Sequence, residues 1–230
     1  MNEPITIEIL GKGSVSAELA GPDRLDDSKK TGVIFAHGAA NDMNNRLIVA
    51  MADGLASSGY VTLRFNFPYK EKGKKSPDTE PTLIRTWQSV YTHFMNNERF
   101  PVDRVVAAGK SMGGRIASQI VAAGQMAVDA LIFLGYPLHA PGRTDQLRDT
   151  HLYGIEAPML FFAGTRDALC NMEKLKGVFD RLPGRHDLEV VEGGDHSFKL
   201  PKSSSRSTDE VHQKILERAI HWLDLIAKKK

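Results

Sequence analysis

Apolar positions along the chain fall into two alternating patterns. Short runs that are apolar almost throughout predict strands covered on both faces: Gly32–His37 (GVIFAH), Tyr60–Phe65 (YVTLRF), RVVAAG ending at Gly109, ALIFLGY, PMLFFAG and DLEVVEG. Between them, apolar residues recur at helical spacing. Asn44–Ser58 sets Leu47, Ile48, Met51 and Leu55 on one face, and Gly59 suits its C-terminal cap. Thr82–Asn97 does the same with Leu83, Trp87, Val90 and Phe94. Further helices are predicted over Met112–Ala123, ending at Gly124, and over Asn171–Leu182, stopped by Pro183. A long last helix, Asp209–Lys228, lines up Val211, Ile215, Ala219, Trp222 and Ile226. At the start of the chain, ITIEIL and SVSAEL flank Gly11-Lys12-Gly13, a hairpin pattern.

Strands alternating with helices predict an α/β fold. Its central sheet is mostly parallel, helices cover both faces, and the hairpin adds antiparallel strands at one edge. One domain over residues 1–230 is expected. Pro68–Pro81 and Lys199–Glu210 read as polar surface loops. Between Tyr136 and Pro158 there is room for one short helix, so no substantial cap and an open site are expected. Ligands of such sheets bind beyond the carboxyl ends of the strands, which places the chemistry in the loops after each strand.

Composition narrows the partners. The 230 residues are 41% apolar and 25% charged, with 30 basic against 28 acidic residues and a net charge of +2. That balance makes no case for nucleic acid or a membrane surface, and no apolar run is long enough to span a bilayer. The single cysteine, Cys170, permits no intramolecular disulfide, and MNEPITIEIL lacks a leader pattern; a cytoplasmic location is expected.

Candidate chemistry concentrates in RVVAAGKSMGG, Arg104–Gly114. A phosphate loop would need G-x-x-x-x-G-K-[ST], but Arg104 stands where its first glycine belongs and strand-like VVAA fills the turn. The alternative is G-x-S-x-G: a strand, a sharp turn bearing Ser111, then a helix, with Gly109 and Gly113 clearing space for the reversal. In the bland reading Ser111 only caps that helix. A serine hydroxyl becomes a nucleophile when a base takes its proton and a third group orients the base. Two later strand-end loops offer these: GTRD presents Asp167 and GGDHSF presents His196. Asp167 could instead cap the helix near Asn171. His139, His151, His186, His212 and His221 read as structural or solvated, His37 as a loop brace, Asp195 as a turn former and Cys170 as a packing residue. Oxyanion donors are expected from the backbone N–H of Met112, at the helix start, and of Ala39, after the turn at Gly38. Lys110 is expected to reach solvent, with attraction of an anionic substrate as the alternative. The basic loop Lys70–Lys75 reads as solvated rather than as a steering patch for acidic substrates.

HGAANDMN, GKSMGG, GTRD and GGDHSF, in this order, make the chain resemble the α/β-hydrolase superfamily. RFNFPY, GTRDALC and GGDHSFKLPK resemble, more narrowly, small bacterial relatives of the hydrolase-like domain of testis-expressed and KANSL-type proteins. Dienelactone-hydrolase-like enzymes are more distant and usually carry a cysteine nucleophile. The resemblance implies Ser111 as nucleophile, Asp167 as acid and His196 as base, with Ala39 and Met112 lending the oxyanion amides. It implies a serine hydrolase cleaving a small ester or thioester through an acyl-enzyme, with no metal or organic cofactor. A non-catalytic protein-interaction module on the same scaffold, or a peptidase for short peptides, are the other readings.

Overall fold

A computed structural model describes residues 2–22 and 30–227. Among the described residues, eight strands form one sheet: β1 (Asn2–Ile9), β2 (Gly13–Ala20), β3 (Thr31–Ala36), β4 (Val61–Phe65), β5 (Arg104–Lys110), β6 (Ala130–Leu134), β7 (Met159–Gly164) and β8 (His186–Val191). Their order across the sheet is β1-β2-β4-β3-β5-β6-β7-β8. The hairpin β1–β2 is antiparallel and joins β4 antiparallel; β4 and every later neighbour run parallel. This is the α/β-hydrolase fold.

The apolar runs are central strands because side chains alternate between two cores. Ile34, Val105, Ala107, Leu131, Phe133, Met159 and Phe161 point to one face, where α3 (Glu80–Met95), α4 (Met112–Ala122) and α5 (Met172–Phe179) pack. Val33, Phe35, Val106, Ala108, Ile132, Leu160 and Phe162 point to the other, under α1 (Arg46–Ser57) and α6 (Thr208–Ala227). With each central strand buried on both sides, the parallel edges that matter for function are the loops beyond β3, β5, β6, β7 and β8.

Several boundaries differ from the sequence pattern. Pro68–Pro81 is not a plain loop: Pro68–Glu71 forms a one-turn helix, α2, and α3 starts at Glu80, before the predicted Thr82. Proline fits the first turn of a helix, where its missing N–H has no acceptor to lose, so Pro68 and Pro81 open helices here rather than breaking them. α6 begins at Thr208 behind a capping box: the Glu210 N–H donates to Ser207 Oγ at 3.2 Å and the Ser207 N–H donates to Glu210 Oε2 at 2.5 Å. α5 is shorter than predicted, ending at Phe179. Lys228, the predicted end of the last helix, and the outer limits of the predicted 1–230 domain lie outside the described residues. Between β6 and β7 the helical segment is a single 3-10 turn, Thr150–Gly154. His151 Nε2 lies 2.9 Å from Ser118 Oγ, which ties this turn to the flank of α4. No helix of the described residues is long and apolar enough to cross a membrane.

α6 is locked to the sheet by Trp222. Its ring is fully buried, and its Nε1–H donates to Asp187 Oδ2 at 2.7 Å, at the start of β8. Arg185 Nε, 3.1 Å from the same oxygen, and Arg218 share that carboxylate. Trp222→Ala should therefore cost about 4 kcal/mol, from lost burial and a cavity. Trp222→Phe should cost about 2 kcal/mol, since it keeps most of the packing and deletes a hydrogen bond to a charged group. Urea unfolding of the two variants checks both values; equal losses would contradict this account.

Candidate active site

The carboxyl edge of the sheet is shaped by the reversal after β5. Ser111 has φ 51° and ψ −116°, a backbone conformation that side chains rarely adopt. Glycines make room for it. A Cβ on Gly109 would lie 2.2 Å from the Gly114 nitrogen, and one on Gly113 would lie 2.5 Å from the Ala36 oxygen. The Trp87 indole N–H donates to the Gly113 carbonyl at 3.1 Å, fixing the first turn of α4 from the side. Ser111 does precede α4, but its side chain makes no capping hydrogen bond. Its hydroxyl is directed elsewhere.

That hydroxyl lies 2.8 Å from His196 Nε2, and His196 Nδ1 lies 2.8 Å from Asp167 Oδ2. The Asp167 carboxylate can only accept, so Nδ1–H donates to it; Nε2 is then the free acceptor for the Ser111 O–H. The Asp167 side chain is fully buried, and its other oxygen accepts the Leu169 N–H at 2.7 Å. The cap of α5 is Asn171, whose Oδ1 accepts the Lys174 N–H, so Asp167 does not serve there. Three side chains separated by 85 and 29 residues thus share one hydrogen-bonded line. The loop bearing His196 sits close over β6 because Gly135, at φ 75°, has no side chain: a Cβ there would lie 3.1 Å from the His196 oxygen.

The neighbours expected to be structural are so. Asp195 Oδ1 accepts the N–H groups of Ser197 and Lys199 at 2.7 and 3.0 Å, forming the turn that carries His196. His37 is buried, and its Nδ1–H donates to the Gly38 carbonyl at 2.8 Å while Nε2 accepts the Phe67 N–H at 3.1 Å. Burial outweighs the Gly38 carbonyl and lowers its pKa to about 4, so it stays neutral and braces two strand-end loops. His139 repeats the arrangement between the Ala140 carbonyl and the Asn171 N–H. Cys170 is buried, and its thiol is pushed up to about 12, first by burial and then by Asp167. Ala39 is half-buried beside the elbow, and its carbonyl accepts the Tyr69 hydroxyl at 2.8 Å. Met112 is buried as the first residue of α4, where helix geometry leaves its N–H without an intrahelical acceptor. The lysines at 72, 74 and 75 are exposed, as expected of a solvated loop.

These features coincide with a known family. The model of the alpha/beta hydrolase domain matches residues 29–224. The chain belongs to the α/β-hydrolase family. Solved structures share its fold at low identity. Est1E from Butyrivibrio proteoclasticus, solved with ferulic acid bound, is 17% identical over 96% of this chain and 99% of its own, with a TM-score of 0.75. A protein of Xanthomonas campestris described as an α/β serine hydrolase without a lid is 18% identical over 96% and 94%, with a TM-score of 0.73. The esterase Est2 of Thermogutta terrifontis, solved with propionate, is 17% identical over 97% and 94%, with a TM-score of 0.74.

Lys110 departs from expectation. It does not reach solvent: it is 3% exposed, and its ammonium donates to the His196 carbonyl at 2.6 Å above the Phe198 ring. The reason is register. β5 extends one residue past Gly109, so the alternation that sends Val106 and Ala108 toward α1 and α6 sends Lys110 there too. Burial lowers its pKa to about 8 from an ordinary 10.5, against the opposing pull of Asp167 and Asp195.

This burial has a pH signature. The folded state binds fewer protons than the unfolded state between pH 8 and 10.5, so the wild type gains stability as pH rises through that window. Methionine at this position cannot respond. The stability of Lys110→Met relative to wild type should therefore fall by about 2 kcal/mol between pH 7 and pH 10. Paired urea titrations at the two pH values measure it; a difference independent of pH would contradict the buried ammonium.

Proposed function

We propose that this α/β-hydrolase cleaves a small carboxylic ester or thioester through a covalent acyl-enzyme on Ser111. The observation that carries the reading is the imidazole of His196, 2.8 Å from both the Ser111 hydroxyl and the Asp167 carboxylate. Ser111 Oγ attacks the substrate carbonyl carbon as its proton passes to Nε2. Asp167 holds the ring in the tautomer that leaves Nε2 free and stabilises the imidazolium. The N–H groups of Ala39 and Met112 receive the carbonyl oxygen as it becomes negative. The bond to the leaving oxygen or sulfur then breaks, and the leaving group takes the proton from Nε2. Water attacks the acyl ester, gives its proton to Nε2, and the acid departs as the proton returns to Ser111 Oγ. Two residues, not cofactors, carry the protons and the acyl group.

The strain at Ser111 supports the same reading, since a positive φ at a non-glycine residue costs about 1–3 kcal/mol and persists where geometry around a reactive group demands it. The short 3-10 turn between β6 and β7 supports an open, lidless site and a small or freely protruding substrate. We place the chain among the small bacterial relatives of testis-expressed and KANSL-type proteins on the strength of RFNFPY and GGDHSFKLPK. Cytoplasmic placement is part of the same proposal.

A fluorophosphonate probe should label the wild type and leave Ser111→Ala unlabelled. With p-nitrophenyl butyrate or a short acyl-CoA thioester, Ser111→Ala and His196→Ala should lose about 10⁴-fold or more in kcat, and Asp167→Asn about 10⁴-fold. An unlabelled wild type, inert toward both substrates, would favour a non-catalytic binding module.

A further inference from the structure

Beside the Ser111 site lies a polar cleft of about 330 Å³. Three of its lining residues lie within two positions of the site residues. Asn41 follows Ala39 by two residues, Lys110 precedes Ser111, and Ser197 follows His196. Arg46, Lys199 and His212 also line it. No carboxylate lines this cleft among the described residues.

The charge balance of these walls is unusual. Arg46 is paired with the exposed Asp209 at 2.8 Å. The ion pairs of the described residues include neither Lys110 nor Lys199. Lys110 is the more telling of the two. An ammonium has three N–H donors; one goes to the His196 carbonyl at 2.6 Å, and the Phe198 ring face lies 5.7 Å from the nitrogen. Asp167 and Asp195 attract this buried ammonium, but neither forms an ion pair with it and neither lines the cleft, so an anion entering there would meet a cation that no carboxylate of the cleft neutralises. The first turns of α1 and α6 also border the space, through Arg46 and Thr208, and their dipoles have the same sign as the lysines.

Resting on the serine-hydrolase reading, we propose that this cleft is an anion subsite, and that the substrate is an ester or thioester carrying a carboxylate or phosphate a few bonds from the scissile carbonyl. The anion enters between Lys110 and Lys199, with Arg46 at the rim and Asn41 and Ser197 as neutral donors. The reacting carbonyl then rests at Ser111, one residue from both Lys110 and the oxyanion donor Met112.

Two measurements test this. The first compares p-nitrophenyl hemiadipate with its uncharged amide, p-nitrophenyl adipamate. Wild-type kcat/KM should favour the anion, and the anion-to-amide ratio should fall at least tenfold in Lys199→Gln combined with Arg46→Gln. Lys75→Gln, on the exposed loop after α2, should leave the ratio where it is. A ratio near one in the wild type together with no phosphate binding in the second measurement, or an equal fall in Lys75→Gln, overturns the subsite while leaving the hydrolase reading intact. The second is calorimetric titration of Ser111→Ala with adipate, with adipamide and with inorganic phosphate, and it needs no turnover. Adipate or phosphate should bind, adipamide should not, and the Lys199→Gln, Arg46→Gln pair should weaken binding at least tenfold; whichever anion binds names the group carried by the substrate. Failure of both anions to bind overturns the subsite even if the enzyme is active. Loss of fluorophosphonate labelling with anion binding retained would overturn the hydrolase reading alone.

Discussion

The chain must reverse direction within one residue at the end of β5, and the rest of the site depends on that constraint. Ser111 sits at a positive φ, and two glycines clear backbone atoms that a Cβ would strike at 2.2 and 2.5 Å. The reversal turns the Ser111 hydroxyl toward His196 Nε2, 2.8 Å away. Trp87 then pins the helix start from the α3 side. β3 is the neighbour of β5, so the loop that carries Ala39 lies beside Ser111; the loop that carries His196 follows β8, three strands away, and folds back over the ends of β7 and β6, close against Gly164 and Gly135. A Cβ at Gly109 would strike the Gly113–Gly114 backbone and one at Gly113 the Ala36–His37 backbone, so either substitution would displace the chain around Ser111 without touching the reacting atoms.

Most of this was legible as pattern. Fully apolar runs such as ALIFL can be central strands only if both faces are covered, and helical spacing in Leu83, Trp87, Val90 and Phe94 named the covering face of α3 correctly. Gly-Gly before Asp195 and His196 marked a turn that could project an imidazole, and the side chain of Asp195 does close that turn. What pattern could not supply was the exact end of each element. Pro68 and Pro81 looked like loop residues because proline breaks helices internally, yet both occupy first turns. One extra residue on β5 reversed the fate of Lys110 from solvent to core, since strand side chains switch faces at every step. Charge told against burial; period told for it, and period prevailed.

The buried ammonium gives the site an asymmetry that its serine, histidine and aspartate do not. On one side of Ser111 the sheet offers an apolar core, and on the other a cation tied to the backbone of His196. That bond makes Lys110 a positioning residue for the His196 loop as well as a wall of the neighbouring cleft. Stability and specificity therefore pull in opposite directions at this position: desolvating a charge weakens the fold, while an electrostatic partner for an anion sharpens discrimination.

If Ser111 and His196 act as one nucleophile, removing either should disable the same step, and removing both should cost nothing further. The direct test is kcat on a p-nitrophenyl ester for Ser111→Ala, His196→Ala and the double variant. The account predicts three rates equal within a few-fold, all far below wild type. Multiplying losses, or a serine variant that turns over at the wild-type rate, would contradict it.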